Sequence, residues 1–216
     1  MPWAPSYASV DDLRDFVRID DDADDELIAT ALAGASRSID HACDPRPGYW
    51  RQFGRTDEVE DRFYTPSRRG YDLPVRDHWV ALTDDIASLV GLLVAADVTG
   101  DGGYVSISGA TLLPRNAETH GLPWSSILFA GSTMPCPPLV AESVKVTAEY
   151  GWPMVPDAIR GAALLQASRL LSRRDAPFGV AGSPETGSEV RLLARLDPDV
   201  EQLIRPYVRK PGAVLA

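Results

Sequence analysis

The segment from Val144 to Arg160 constrains the fold most, because its periodicity changes from that of a strand to that of a helix. Apolar and polar side chains alternate from Val144 to Tyr150, which is the period of a strand with one buried face. Gly151 and Pro153 end this strand. Pro156 suits a first helical turn, where a missing N–H costs no hydrogen bond. The sequence thus predicts a strand followed directly by a helix.

Nearly every position from Ala158 to Leu171 is apolar or small, which predicts a helix that is packed on most of its sides. The helix is too short to span a bilayer. It contains no nucleophile, base or metal ligand, so it indicates architecture, and we expect the function to lie in assembly. Its predicted core residues are Ile159, Leu164, Leu165 and Leu170.

Composition excludes some classes of function. Acidic residues outnumber basic ones 31 to 21 and the net charge is −10, which opposes loose binding to duplex nucleic acid. A hydrophobic fraction of 44% in 216 residues allows a sizeable core without disulfides or metals. Cys43 and Cys136 form no disulfide framework, and the N-terminus lacks the pattern of a signal peptide. We expect a protein that is made in a reducing cytoplasm.

Helical periodicity appears before and after residues 49–150, which do not have it themselves. The predicted helices are Ser9–Ile19, Asp24–Ala42, Pro156–Ser172 and Asp197–Arg205. Ser9 is the expected N-cap of the first helix, and Asp197 with Pro198 is expected to open the last one.

Between the second and third helices, short β-prone runs alternate with turn residues. The predicted strands are Asp61–Thr65, Trp79–Leu82, Ser88–Val94, Tyr104–Ile107 and Val144–Glu149. The glycine-rich turn from Asp97 to Gly103 indicates a hairpin.

The predicted fold class is therefore α+β: a bundle of four helices with a β-rich domain inserted between the second and third helices. Residues 1–48 and 151–206 are expected to form the bundle, and residues 49–150 the inserted domain. Residues 207–216 are expected to form a C-terminal arm.

Two acidic segments suggest calcium loops but fail the spacing of an EF-hand. A loop that starts at Asp20 has Asp25 at its sixth position, where glycine is needed. A loop that starts at Asp97 has Gly102 at the sixth position but Ser108 at the twelfth. The acidic cap of a helix and a glycine-rich hairpin turn explain these two segments better. If a metal were bound, Asp97, Thr99 and Asp101 are the most plausible ligands.

No other pattern indicates catalysis or a cofactor. His41 and Cys43 lack a second pair of ligands at metal-site spacing. The sequence has neither a Gly-x-Ser-x-Gly elbow nor a phosphate-binding glycine loop. We expect no catalytic residue, no metal and no cofactor, and we expect the protein not to be an enzyme.

Several segments together resemble the head-to-tail adaptor, or connector, proteins of long-tailed bacteriophages, and in particular those of phages that infect actinobacteria. The N-terminal run from Tyr7 to Asp20 resembles the opening of that family, and the run from Val146 to Pro156 is the stronger match. Further matching runs are Ala163–Ala167, Arg173–Val180 and Leu196–Val200. The resemblance extends from about Tyr7 to Tyr207. Its middle part rests more on the alternation of short β-prone runs and turns than on specific motifs.

The resemblance implies a non-enzymatic virion protein of the neck, between capsid and tail. Such a protein forms a ring, usually of twelve copies, that binds the portal on one side and a stopper or tail-completion protein on the other. Genomic DNA passes through its channel without specific binding, and no membrane is involved. The inserted β-rich domain departs from the small members of the family, so its role does not follow from the resemblance.

Two groups of residues are candidates for contacts in such a ring. Family members commonly reach the portal with their C-terminal tail, and the predicted arm residues are Tyr207, Val208, Arg209, Lys210, Val214 and Leu215. A tail that packs back on its own subunit is the alternative. The candidates for the contact between subunits are Arg173, Arg174 and Phe178. The C-terminus of a helix, where the two arginines complement the helix dipole, is the favoured explanation of the pair.

Two other functions remain open from the sequence. One is a β-rich binding module on a helical base, in another virion component or at a cell surface. The other is a metal-assisted hydrolase, which metal-dependent stabilisation would favour.

Overall fold

The computed structural model of the chain describes residues 5–19, 22–44, 51–56, 58–68, 78–130, 141–174, 180–181, 190–191 and 196–209. These residues form two compact units, one from Met1–Phe53 with Val155–Lys210 and the other from Gly54–Met154. The second unit begins and ends a few residues after the predicted positions 49 and 150.

The first unit is helical, as the sequence predicted. Its helices are α1 (Val10–Val17), α2 (Asp25–Cys43), α3 (Asp157–Arg174) and α4 (Pro198–Ile204), followed by a 3-10 turn at Arg205–Tyr207. Strands β9 (Val180–Ala181) and β10 (Val190–Arg191) form a short antiparallel pair. No helix among the described residues combines the length and apolarity that a membrane span requires.

Local hydrogen bonds explain where α1 and α4 begin. The Ser9 hydroxyl accepts the Asp12 N–H at 3.1 Å, and the Asp12 carboxylate accepts the Ser9 N–H at 2.9 Å, which makes a complete capping box. The Asp197 carboxylate accepts the Asp199 N–H at 2.9 Å, and Pro198 occupies the first turn of α4. Both predicted N-caps are confirmed.

Helix α3 is the centre of the helical unit, because α1, α2 and α4 all pack against it. Three of its buried residues are alanines, so the neighbouring helices approach closely there. Leu13 of α1 and Ile28, Leu32 and Ala35 of α2 are fully or almost fully buried in the same core. The buried residues of α3 are Ile159, Ala162, Ala163, Gln166 and Ala167.

Of the four residues predicted to form the α3 core, Ile159 is fully buried, whereas the three leucines are not. Leu164, Leu165 and Leu170 are only partly buried, although Leu164 and Leu170 pack against the edge of the core. A leucine on the central line of α3 would hold the other helices further away, so alanine takes those positions.

The described residues of the second unit form two four-stranded antiparallel sheets, and this β-rich segment lies between α2 and α3 as predicted. Sheet 1 has the strand order β1-β8-β4-β5 and sheet 2 has the order β2-β3-β7-β6. The strands are β1 (Glu60–Tyr64), β2 (Pro66–Arg68), β3 (His78–Ile86), β4 (Leu93–Asp97), β5 (Tyr104–Ser106), β6 (Thr111–Leu113), β7 (Trp124–Ala130) and β8 (Val144–Ala148).

Side chains from both sheets form one core. Strand β8 lies between β1 and β4, and its Val144, Val146 and Ala148 are completely buried. Ile127 and Phe129 of β7 enter the same core from sheet 2. The alternation seen in the sequence of β8 is thus the alternation of a central strand with one buried face.

One predicted strand is mostly wrong, and three strands of the two sheets, β2, β6 and β7, were missed. Of the predicted strand Ser88–Val94, only the last two residues belong to a strand: a turn occupies its first part, with Gly91 at φ +71°, and β4 begins at Leu93. The Ser88 hydroxyl accepts the Val90 N–H at 3.0 Å and stabilises this turn. The longest of the missed strands, β7, pairs with both β3 and β6, and the short β2 pairs with β3. The predicted hairpin at Asp97–Gly103 is confirmed, since it joins β4 to β5.

The two ends of the β-rich unit meet at Gly54 and Gly151. The Thr56 N–H donates to the Tyr150 carbonyl at 2.8 Å, and the Tyr150 N–H donates to the Thr56 hydroxyl at 2.9 Å. Gly151 has φ +107°, and a Cβ at this position would lie 2.0 Å from the Gly54 carbonyl oxygen. Only glycine satisfies both constraints.

We expect Gly151→Ala to lower the free energy of unfolding by at least about 3 kcal/mol, because it adds a clash with backbone to the strain of positive φ. The matched control is Gly121→Ala, since Gly121 also has positive φ (+64°) but open space around the added Cβ. The control should cost about 1 kcal/mol. Urea unfolding of both variants measures the difference, and equal costs would mean that the approach of Gly151 to Gly54 is not close.

We also expect Ile159→Ala to cost about 2–5 kcal/mol and Leu165→Ala clearly less, because Ile159 is fully buried and Leu165 only partly. Chemical denaturation of the two single variants provides the comparison. A larger loss for Leu165→Ala would contradict the assignment of the α3 core.

Candidate functional site

The beginning of the predicted arm is fixed to the helical unit. Tyr207 ends the 3-10 turn after α4, and Tyr207, Val208 and Arg209 are all partly buried. Lys210, Val214 and Leu215 lie outside the described residues. We call Tyr207–Arg209 the arm root.

Arg209 attaches the arm root to the C-terminal end of α2. Its N–H donates to the Cys43 carbonyl at 2.8 Å, which satisfies one of the carbonyls that a helix leaves unpaired at its end. Its guanidinium Nε lies 3.4 Å from the carboxylate of Asp44, whose side chain is completely buried. A buried carboxylate needs a cationic partner, so this pair holds Arg209 in place.

Tyr207 attaches the arm root to an aromatic cluster. The ring of Phe53 makes edge-to-face contacts with Tyr7 and with Tyr207, each with ring centroids 5.8 Å apart. Such pairs contribute about 0.5–1.5 kcal/mol beyond the area that they bury. The guanidinium of Arg51 donates to the Tyr207 carbonyl oxygen.

The same cluster surrounds a buried carboxyl group, that of Asp40. The Tyr7 hydroxyl donates to Asp40 and accepts the Phe53 N–H at 2.9 Å, while the Arg37 guanidinium lies 3.1 Å from Asp40. Burial raises the pKa of Asp40 to about 7, and the Tyr7 hydroxyl and the Arg37 charge offset only part of this effect. Burial also raises the pKa of Tyr7, so its hydroxyl stays protonated and donates.

A groove opens beside the arm root. It has a volume of about 680 Å³ and lies between the C-terminal end of α2 and α4. Ala42, Ile204 and Val208 contribute apolar walls, and Glu201 and Arg205 contribute one charge of each sign. An apolar groove with a few polar groups is the usual form of a site that receives a peptide segment.

The sequence-predicted arm residues thus divide into two sets. Tyr207 and Arg209 have partners within their own subunit, which agrees with the alternative of a tail that packs back. An arm that reaches a partner therefore starts no earlier than Lys210. Whether Lys210, Val214 and Leu215 bind a portal stays a prediction.

The candidates for the subunit contact are placed only in part. Arg173 and Arg174 form the last turn of α3, where positive charge complements the helix dipole, and Arg173 is partly buried. The side chain of Arg174 and all of Phe178 lie outside the described residues. Their role in a contact between subunits stays a prediction.

The most plausible cation ligand of the sequence, Asp97, has another role in the structure. Its carboxylate accepts the N–H groups of Thr99 at 3.2 Å, Gly100 at 2.6 Å and Gly102 at 2.9 Å. The bond from Gly102 first, and then those from Gly100 and Thr99, lower the pKa of Asp97. The same three bonds hold the hairpin turn closed. Within the described part of the chain, no three His, Cys, Asp or Glu side chains are grouped as metal ligands.

Sequence reasoning missed the cluster of Tyr7, Asp40 and Phe53. Tyr7 is 33 residues from Asp40 and 46 from Phe53, so no local periodicity connects them. One signal was available: Asp40 lies on the apolar face of α2, one residue after the buried Ile39. A carboxylate at a buried helical position requires partners from elsewhere in the chain.

The free energy of unfolding should depend on the ionisation of Asp40. Its pKa is about 7 in the folded chain against an ordinary value of 3.8, so the folded state binds the proton more tightly. This contribution to stability is fully present below about pH 4 and is lost as the pH rises to about 7. The side chain of the Asp40→Asn variant cannot ionise. Between about pH 4 and pH 7 we therefore expect the free energy of unfolding of this variant to fall less than that of the parent, by at least about 1 kcal/mol.

Urea unfolding of parent and Asp40→Asn at a series of pH values tests this. Asp61→Asn is the control, because hydrogen bonds from Thr147 and then Lys145 lower the pKa of that exposed carboxylate and remove it from this pH range. Parallel pH profiles of parent and Asp40→Asn would show that Asp40 titrates near its ordinary pKa.

Sequence similarity does not assign the chain to a family. No protein-family model matches it, and no curated protein matches it. Its function must therefore be argued from the residues and their geometry.

Proposed function

We propose that this chain is a head-to-tail adaptor of a long-tailed bacteriophage, located in the virion neck. Copies of the chain form a ring, twelve in the expected case, that joins the portal to a stopper or tail-completion protein. The ring is structural and not enzymatic. The resemblance of the runs Tyr7–Asp20 and Val146–Pro156 to such adaptors is the origin of the proposal.

The observation that carries the proposal further is the anchored arm root beside the groove at α4. A portal-binding arm needs a fixed point of departure, because a fixed origin confines the segment that follows and lowers the entropy lost on binding. Arg209 on the Cys43 carbonyl and Tyr207 on Phe53 provide that point. The residues after it, Lys210 to Ala216, combine one positive charge with an apolar end, which suits an apolar groove on a partner that also offers a carboxylate.

The run Val146–Pro156, which resembles the adaptors most strongly, has a structural role that suits an adaptor with an inserted domain. Tyr150, Gly151 and Trp152 are all buried, and the Trp152 indole N–H donates to Asp85 at 2.9 Å. These residues close the β-rich unit where the chain leaves it. The role of Tyr150, Gly151 and Trp152 is thus structural, which supports the resemblance to a family of structural proteins.

The net charge supports passage of DNA rather than its capture. A chain with a charge of −10 repels phosphate, and a ring of such chains would repel it further. A channel that DNA must pass through needs weak contacts with it.

Two truncations test the proposed arm. Removal of residues 210–216 should leave the melting temperature unchanged and abolish binding to tail-less, portal-bearing capsids. Removal of residues 207–216 should in addition lower the melting temperature by several degrees, because the contacts of Tyr207 and Arg209 are lost.

A full-length variant shows whether the apolar side chains of the tail, and not only its length, are needed for capsid binding. Val214→Asp combined with Leu215→Asp keeps the tail intact but removes its apolar end, and it should weaken capsid binding strongly. Electron microscopy of the capsids shows whether a ring is present below the portal. If the chain without residues 210–216 still forms that ring, the arm does not bind the portal.

A further inference from the structure

One buried carboxyl group connects three separate segments of the helical unit. It belongs to Asp40 of α2, whose side chain is completely buried. The N-terminal segment reaches this residue through the Tyr7 hydroxyl, which donates to the carboxyl group. The segment 51–53 reaches it through the Arg51 N–H, which donates to the Asp40 carbonyl at 3.0 Å. The third segment is the arm root.

Two series of contacts lead from Asp40 to Tyr207 of the arm root. In the first, the Tyr7 hydroxyl also accepts the Phe53 N–H at 2.9 Å, and the Phe53 ring packs edge-to-face against Tyr207. In the second, Arg51 is bonded to Asp40 through its N–H, and its guanidinium donates to the Tyr207 carbonyl oxygen. A change in the packing around Asp40 therefore acts on the contacts that hold Tyr207.

The surroundings of Asp40 suit a neutral carboxyl group better than an ionised one. An ionised carboxylate can accept about four hydrogen bonds. Within the described residues, Oδ1 of Asp40 accepts the Tyr7 hydroxyl and Oδ2 accepts no hydrogen bond, although the Arg37 Nε lies 3.1 Å away. A buried anion with so few donors is stabilised when water reaches it.

The other charged and titratable groups of this region do not replace that water. Arg209 pairs with Asp44, and His41 of α2 is exposed. Because none of these groups donates to Oδ2, an ionised Asp40 favours opening of the segments that cover it. The groups concerned, from all the elements around Asp40, are Tyr7, Arg37, His41, Asp44, Arg51, Tyr207 and Arg209.

We propose that the ionisation of Asp40 loosens the arm root, so that the origin of the C-terminal arm is held firmly in acid and less firmly near neutral pH. This deepens the proposed function and rests on it, since it names a control of the proposed portal arm. A firmly held origin confines the tail that follows and reduces the entropy that the tail loses on binding.

The direction of the effect follows from where the proton is bound more tightly. Asp40 has a pKa of about 7 while it is covered, and its ordinary value of 3.8 applies once opening has admitted water. Between these two values, opening releases a proton. The hold on the arm root is therefore complete below about pH 4, and the opening equilibrium rises by up to about tenfold for each pH unit until it levels off at about pH 7.

Hydrogen exchange of the Arg209 amide, followed by NMR on the full-length chain, tests the proposal. This N–H donates to the Cys43 carbonyl, so it exchanges when the arm root opens. After correction for the intrinsic pH dependence of exchange, its protection should fall by at least about tenfold between about pH 5 and pH 7 in the parent. In Asp40→Asn, which cannot ionise, it should change by less than about twofold over the same range.

Two results with the parent alone would overturn the proposal, whether or not Asp40→Asn folds. One is protection of Arg209 that does not vary with pH. The other is protection equal to that of Ala163 in α3, since both amides would then exchange only through global unfolding.

Asp44→Asn is the matched variant, because it removes the ionic partner of Arg209 but leaves Asp40 in place. It should lower the protection of the Arg209 amide by a similar factor at every pH and keep the pH dependence. Loss of the pH dependence in Asp44→Asn would mean that Asp44 is the group that titrates, which would contradict the proposal.

These measurements use the free chain, so their outcome is separate from that of the proposed function. A chain whose Arg209 amide behaves as expected but which never binds portal-bearing capsids would contradict the adaptor proposal alone. A chain that binds those capsids but has a pH-independent Arg209 amide would contradict the role of Asp40 alone.

Discussion

The close approach of Gly151 to Gly54 is the constraint on which the insertion of the β-rich unit depends. A domain can interrupt a helical bundle only if its first and last residues are neighbours, since the bundle on either side must remain intact. Backbone contact at the two glycines, with hydrogen bonds between Thr56 and Tyr150, brings those residues together. A side chain on Gly151 would push the two ends of the β-rich unit apart. The positive φ angle of Gly151 and its lack of a Cβ therefore allow these ends to stay together.

The helical half could be predicted because its signals are local. Ser9 with Asp12, and Asp197 with Pro198, mark helix starts through hydrogen bonds that span three residues or fewer. The long helix α3 follows from its composition alone. What composition did not reveal is which side chains form its core. The choice of Ala163 and Ala167 over Leu165 depends on how near α1, α2 and α4 lie, and this distance is a property of the packed bundle.

The β-rich half and the site were less predictable, because their contacts join distant parts of the chain. Strand β7 is apolar on both faces of its middle, with Ile127 and Leu128 adjacent, so it lacks the alternation that indicates a strand. The apolar run at Ser88–Leu92 has the composition of a strand but forms a turn, since Gly91 adopts positive φ. The arm root depends on Phe53, Cys43 and Asp44, none of which lies near Tyr207 in sequence.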